Sequence, residues 1–95
     1  YKEQIDAILR HLIMHGKSLE VNTGAFRYGM SEPNPSYQIL RYYYDIGGRD
    51  ITLGADAHEP KDVGIAYEKV IPELKEIGFE YFNVYMDRIP RRVLL

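Results

Sequence analysis

The sequence predicts an α/β domain built on parallel strands. Helix-forming stretches alternate with short β-rich runs in the order helix, strand, helix, strand, helix, strand. Each helical stretch closes on glycine, at Gly16, at Gly47 and Gly48, and at Gly78. The middle strand, ITLGA, is apolar enough to be covered on both faces, as parallel strands are. Right-handed crossovers in such a chain carry all strand C-terminal ends to one rim, where sites in these folds gather.

The first helix covers residues 4 to 15, QIDAILRHLIMH, with Ile5, Ile8, Leu9 and Leu12 as its apolar face. SLEVN, 18 to 22, reads as a brief strand. TGAFRYGMSEPNPS then reads as a loop, rich in Gly, Pro, Ser and Asn and long enough to be functional. Asn34 and Pro35 are placed as N-cap and first residue of a second helix, YQILRYYYDI, whose buried side is Ile39, Leu40, Tyr43 and Tyr44. ITLGA, 51 to 55, follows as the second strand. From Asp62 a stripe of Val63, Ala66, Tyr67, Val70, Leu74 and Ile77 predicts a third helix. Pro72 removes a backbone donor within it, so a kink or two abutting helices are expected. FEYFNVYM, 79 to 86, dense in aromatics, is the last predicted strand.

With 95 residues, 45% hydrophobic and 27% charged, the chain has material for one core, a single domain over 1–95. A formal net charge of −2 gives no broad basic field, so nucleic acid is not expected as a partner. Arg88, Arg91 and Arg92 form a local patch that reads as a solvated tail. Without cysteine, any metal must be held by His, Asp or Glu, and the composition suits a reducing cytoplasm. No apolar stretch approaches the ~18 residues of a membrane span, and no signal peptide or internal repeat is evident.

GADAH, 54 to 58, places Asp56 and His58 two residues apart just past the second strand. In an extended segment the two would converge on one point, and a carboxylate with a neutral imidazole suits Zn, Mn or Fe. The plainer reading is that Asp56 binds loop amides and His58 begins a turn before Pro60; two ligands alone do not make a site. His11 and His15 share metal-ligand spacing on a helix, but Leu12 stands where a catalytic Glu would be in H-E-x-x-H. They read as an exposed His11 and a boundary His15. Arg27, between Gly24 and Gly29 in the long loop, offers a guanidinium fork for phosphate or is an ordinary surface arginine. Glu20 and Asn22 reach the rim as ligands, supporting groups or simple edge residues. Tyr42, Tyr43 and Tyr44 read as packing residues.

SLEVNTGAFR, IGGRDITLGADAHEPKDVG and ELKEIGFEYFNVYMDRIP, in this order, resemble the C-terminal part of the polymerase and histidinol phosphatase (PHP) family, most closely its histidinol-phosphatases. The resemblance covers roughly residues 18 to 90. It implies the C-terminal three β/α units of a distorted (β/α)7 barrel with parallel strands. It further implies metal-dependent hydrolysis of a phosphate monoester, histidinol phosphate to histidinol, in histidine biosynthesis. On the same resemblance Asp56 and His58 match the last metal-ligand motif, for Zn, Mn or Fe, and Arg27 matches an arginine that holds substrate phosphate. Glu20 and Asn22 align with the strand before that loop and acquire no role.

The family pattern also contains an N-terminal H-x-H pair, a middle glutamate and further histidines, whereas this chain has only His11, His15 and His58. The expectation is therefore a partial domain whose partner is the N-terminal remainder of the barrel. By itself it should have little or no activity, because one carboxylate and one imidazole bind metal weakly. An incomplete barrel also exposes strand edges that favour self-association. A PHP phosphoesterase with another substrate and a non-catalytic PHP-like binding or scaffold module are the alternative readings.

Overall fold

The computed structural model describes residues 2–24, 31–54, 60–86 and 89–95. In chain order they form α1 (Lys2–Met14), β1 (Leu19–Asn22), α2 (Tyr37–Asp45), β2 (Ile51–Gly54), α3 (Pro60–Ile77), β3 (Tyr81–Met86) and β4 (Ile89–Leu94). The alternation of helix and strand expected through β3 is present.

All three helices stop on the expected glycines, α1 and α2 through the same pair of backbone bonds. At the end of α1, Gly16 N–H donates to Ile13 O (3.2 Å) and Lys17 N–H to Leu12 O (2.9 Å), with Gly16 at φ 64°. Gly47 with Gly48 repeats this ending on α2, whereas on α3 the N–H groups of Gly78 and Phe79 both donate to Leu74 O, at 3.2 and 3.0 Å. α3 is one continuous helix through Pro72, not two abutting ones.

α2 begins later than the sequence suggests. Asn34 exchanges both backbone hydrogen bonds with Asn22, N–H to O at 2.9 Å and 2.8 Å, so its carbonyl is not free to open the helix. Ser36 is the N-cap instead: its carbonyl accepts Leu40 N–H at 3.0 Å, and Glu32 Oε1 takes the orphan N–H of Tyr37 at 3.2 Å.

β1 and β2 pair in parallel, with Leu19 opposite Ile51, Glu20 opposite Thr52, Val21 opposite Leu53 and Asn22 opposite Gly54. One face of this pair carries Val21 and Ile51, both fully buried with Leu9, Leu40, Tyr43, Val70, Leu74 and Phe79. The core therefore lies between the strands and the helices. Burying an aliphatic or aromatic side chain of this size contributes about 1.5–3 kcal/mol. On α1 the buried face centres on Leu9 with Ile5, Leu12 and Ile13 half-buried, while Ile8, expected in the stripe, is 62% exposed. α1 is also tied to α2 by the Tyr42 hydroxyl, which donates to Asp6, itself paired with Arg10 Nε at 2.9 Å. The Tyr42 hydrogen bond, with Arg10 behind it, holds the Asp6 carboxyl below its ordinary range.

Two corrections concern the C-terminal end. β3 lies against β2 without a backbone ladder, and its partner is β4, in antiparallel register from Tyr81–Leu94 to Met86–Ile89. The segment read as a solvated basic tail is thus a strand. Charge and Pro90 disguised it, but proline is tolerated in an outer strand, and the open edge of aromatic β3 gives the segment a partner. Arg92 lays its guanidinium 4.4 Å from the centre of the Tyr81 ring.

Candidate active site

The parallel pairing sends the C-terminal ends of β1 and β2 to the same rim. Thr23, fully buried, follows β1 directly and binds the last residue of β2 twice. Its N–H donates to Gly54 O at 2.8 Å and its Oγ1 to the same oxygen at 3.1 Å. Asn22 turns the chain just there, its Oδ1 accepting Gly24 N–H at 2.7 Å. The Asn22–Asn34 bridge closes the base of the long loop, so the chain leaves β1 and returns at one point.

The other face of the strand pair is polar. Glu20 lies across Gly54: a Cβ there would stand 2.7 Å from Glu20 Oε1. An open groove of about 560 Å³ runs along this face, lined by Lys17, Ser18, Glu20, Thr52, Asn83 and Val84 among others. Asn83, buried on β3, fixes one side of it by donating from Nδ2 to Ser18 Oγ (3.0 Å) and Asp50 Oδ1 (3.1 Å).

Asp56, His58 and Arg27 lie outside the described residues. The first two follow Gly54 by two and four positions, and Arg27 belongs to the loop whose base the Asn22–Asn34 bridge closes. Among the described residues, no group of three or more His, Cys, Asp or Glu is placed to hold a metal ion. Glu20 is exposed on the rim-side face, and Asn22 serves the turn rather than an open ligand position. His11 and His15 are both exposed with ring centres 4.2 Å apart. Tyr43 is buried and Tyr44 packs edge-on to Phe79 at 5.2 Å, so these tyrosines pack, as their sequence suggests. Thr23 is a positioning residue that sequence reasoning missed, and Asn34, read there as a helix cap, bridges to Asn22 instead. The Thr-Gly pair directly after the first strand was the only trace of Thr23. Among the described residues no helix is long and apolar enough to cross a membrane.

No family model matches the chain. Individual proteins do. It is 46% identical over 84 residues to a probable histidinol-phosphatase of Thermotoga maritima, an alignment covering 87% of this chain and 35% of that protein. It is 35% identical over 78 residues to a histidinol-phosphatase of Lactococcus lactis, covering 82% and 29% respectively. It is 34% identical over 73 residues to a histidinol-phosphatase of Saccharomyces cerevisiae, covering 74% and 22%. The chain thus spans about a third or less of the curated relatives it matches. Over the stretch it spans, this chain is similar to part of several proteins named histidinol-phosphatase, the resemblance that its sequence motifs suggest.

Proposed function

We propose that this chain supplies one corner of the active site of a metal-dependent phosphomonoesterase acting on histidinol phosphate. Asp56 and His58 serve as metal ligands and Arg27 as the phosphate-binding residue. The observation that carries the reading is the similarity to proteins named histidinol-phosphatase over 74–87% of the chain. The double hydrogen bond from Thr23 to Gly54 supports it, because it fixes the strand end from which the D-A-H segment departs. A carboxylate and a neutral imidazole form a donor set that suits Zn, Mn or Fe.

Such ions, when bound, neutralise charge on the phosphoryl oxygens and supply a nucleophile from water at neutral pH. The chain's own contributions are simpler. Asp56 and His58 hold cations at the rim, and the planar fork of Arg27 orients the phosphate. Thr23 and the Asn22–Asn34 bridge keep the strand ends and the loop base in register. The remaining ligands come from the N-terminal part of a (β/α)7 barrel, of which this chain forms three units. Two protein donors bind a divalent ion weakly, so the chain alone turns over little substrate.

The test is a panel of phosphate esters offered to the whole protein encoded by the gene, with Zn, Mn or Fe supplied. Histidinol phosphate should be the preferred substrate. Asp56→Asn and His58→Asn should each lower activity about 100-fold, and Arg27→Ala should raise KM. Undiminished turnover in the Asp56 and His58 variants removes the site; equal turnover of unrelated esters removes the substrate.

A further inference from the structure

The last turn of α1 gathers three metal-binding side chains that the phosphatase reading does not use. His11, Met14 and His15 stand at i, i+3 and i+4, which places them on one helix face. The His15 N–H donates to the His11 carbonyl at 3.1 Å, so helical spacing holds through His15 although the helix proper ends at Met14. Both imidazoles are exposed, and their ring centres are 4.2 Å apart with planes tilted by 47°. Rings this close can bring one nitrogen each onto a single ion with small rotamer changes.

Met14 adds a third donor. Its side chain is 79% exposed, which serves no packing purpose for an apolar group. Its thioether is a soft ligand, and thioether with imidazole selects copper, especially monovalent copper, over zinc. The helix end contributes too: the C-terminal end of a helix dipole is negative and favours a cation there.

We propose that His11, Met14 and His15 form a surface binding site for monovalent copper, separate from the Asp56 and His58 rim. The site uses only described residues of this chain and does not depend on the phosphatase reading.

The experiment is an anaerobic titration of the chain with Cu⁺ against a chromogenic copper chelator, with Zn²⁺ binding measured in parallel. Circular dichroism confirms folding of each variant, which is expected because all three side chains are exposed. One equivalent of Cu⁺ should bind. The His11→Asn, His15→Asn double variant should lose it, and Met14→Leu should weaken Cu⁺ about tenfold while leaving Zn²⁺ nearly unchanged. The Asp56→Asn, His58→Asn double variant should keep the Cu⁺ equivalent in full. Copper retained by the histidine double variant, full Cu⁺ affinity in Met14→Leu, or loss of Cu⁺ in the Asp56 and His58 variant would each overturn the proposal.

Discussion

Thr23 gives both of its donors, the backbone N–H at 2.8 Å and Oγ1 at 3.1 Å, to the single carbonyl oxygen of Gly54. A fully buried hydroxyl thereby ties the exit of β1 to the exit of β2. Thr23→Val keeps the shape and the backbone bond but loses the Oγ1 donor. It should cost about 0.5–1.5 kcal/mol of stability, and Thr23→Ser, which keeps the donor, should cost less of the hydrogen-bond energy. Urea unfolding of the two variants checks this. A Thr23→Val chain as stable as the parent would show that the hydroxyl contributes nothing.

Gly48 and Gly54 both stand under side chains, but the side chains differ. A Cβ on Gly48 would fall 2.4 Å from the Tyr43 ring, which is buried and fixed by its hydroxyl bond to Asp50 O at 2.8 Å. A Cβ on Gly54 would meet the end of Glu20, which is exposed and free to swing away. Gly48→Ala should therefore destabilise by about 1–3 kcal/mol through overpacking, and Gly54→Ala by clearly less. Thermal unfolding ranks them; the reverse order would refute the distinction.

The helices and the strand segments were legible because their signals are local. Glycine stops at Gly16, Gly47 and Gly78 and the apolar spacing around Leu9, Leu40 and Leu74 each act within one or two turns. What escaped depends on partners distant in sequence. Asn34 looks like a helix cap until Asn22 takes its backbone, and RIPRRVLL looks like a tail until β3 offers it an edge. Thr23 could not be recognised as an anchor because its acceptor lies 31 residues away. For the proposed site, the sequence motifs suggested Asp56, His58 and Arg27, which lie outside the described residues, and the structure describes the fixed strand ends that precede them in the chain.

Asn83 joins β3 to the entries of β1 and β2 by donating to Ser18 Oγ and Asp50 Oδ1 from a buried position. Asn83→Ala withdraws both donors and should cost about 1–3 kcal/mol. Asn83→Asp withdraws them and sets a second carboxylate beside Asp50, so it should be worse still at neutral pH. Denaturant unfolding at pH 7 compares them. If the Asp variant were no less stable than the Ala variant, the repulsion argument would fail.

Tyr43 carries the clearest pH signature. Burial first, then the Asp50 carboxylate and Tyr81 nearby, push its hydroxyl from 10.0 up to about 12. In the unfolded chain the same group ionises near 10, so above that pH the unfolded state sheds the proton that the folded state still holds. Folding is then opposed: the contribution is complete below pH 10 and disappears as pH rises toward 12, a loss of about 2 kcal/mol. Tyr81 and Tyr37 are shifted the same way, chiefly by burial, and steepen the fall. Tyr43→Phe should lose about 1 kcal/mol at neutral pH with the hydrogen bond to Asp50 O, yet decline less between pH 10 and 12 than the parent. Urea midpoints taken from pH 8 to 12 measure both slopes. Equal slopes would mean that the Tyr43 hydroxyl titrates alike in the folded and unfolded chain, contrary to its burial against Asp50.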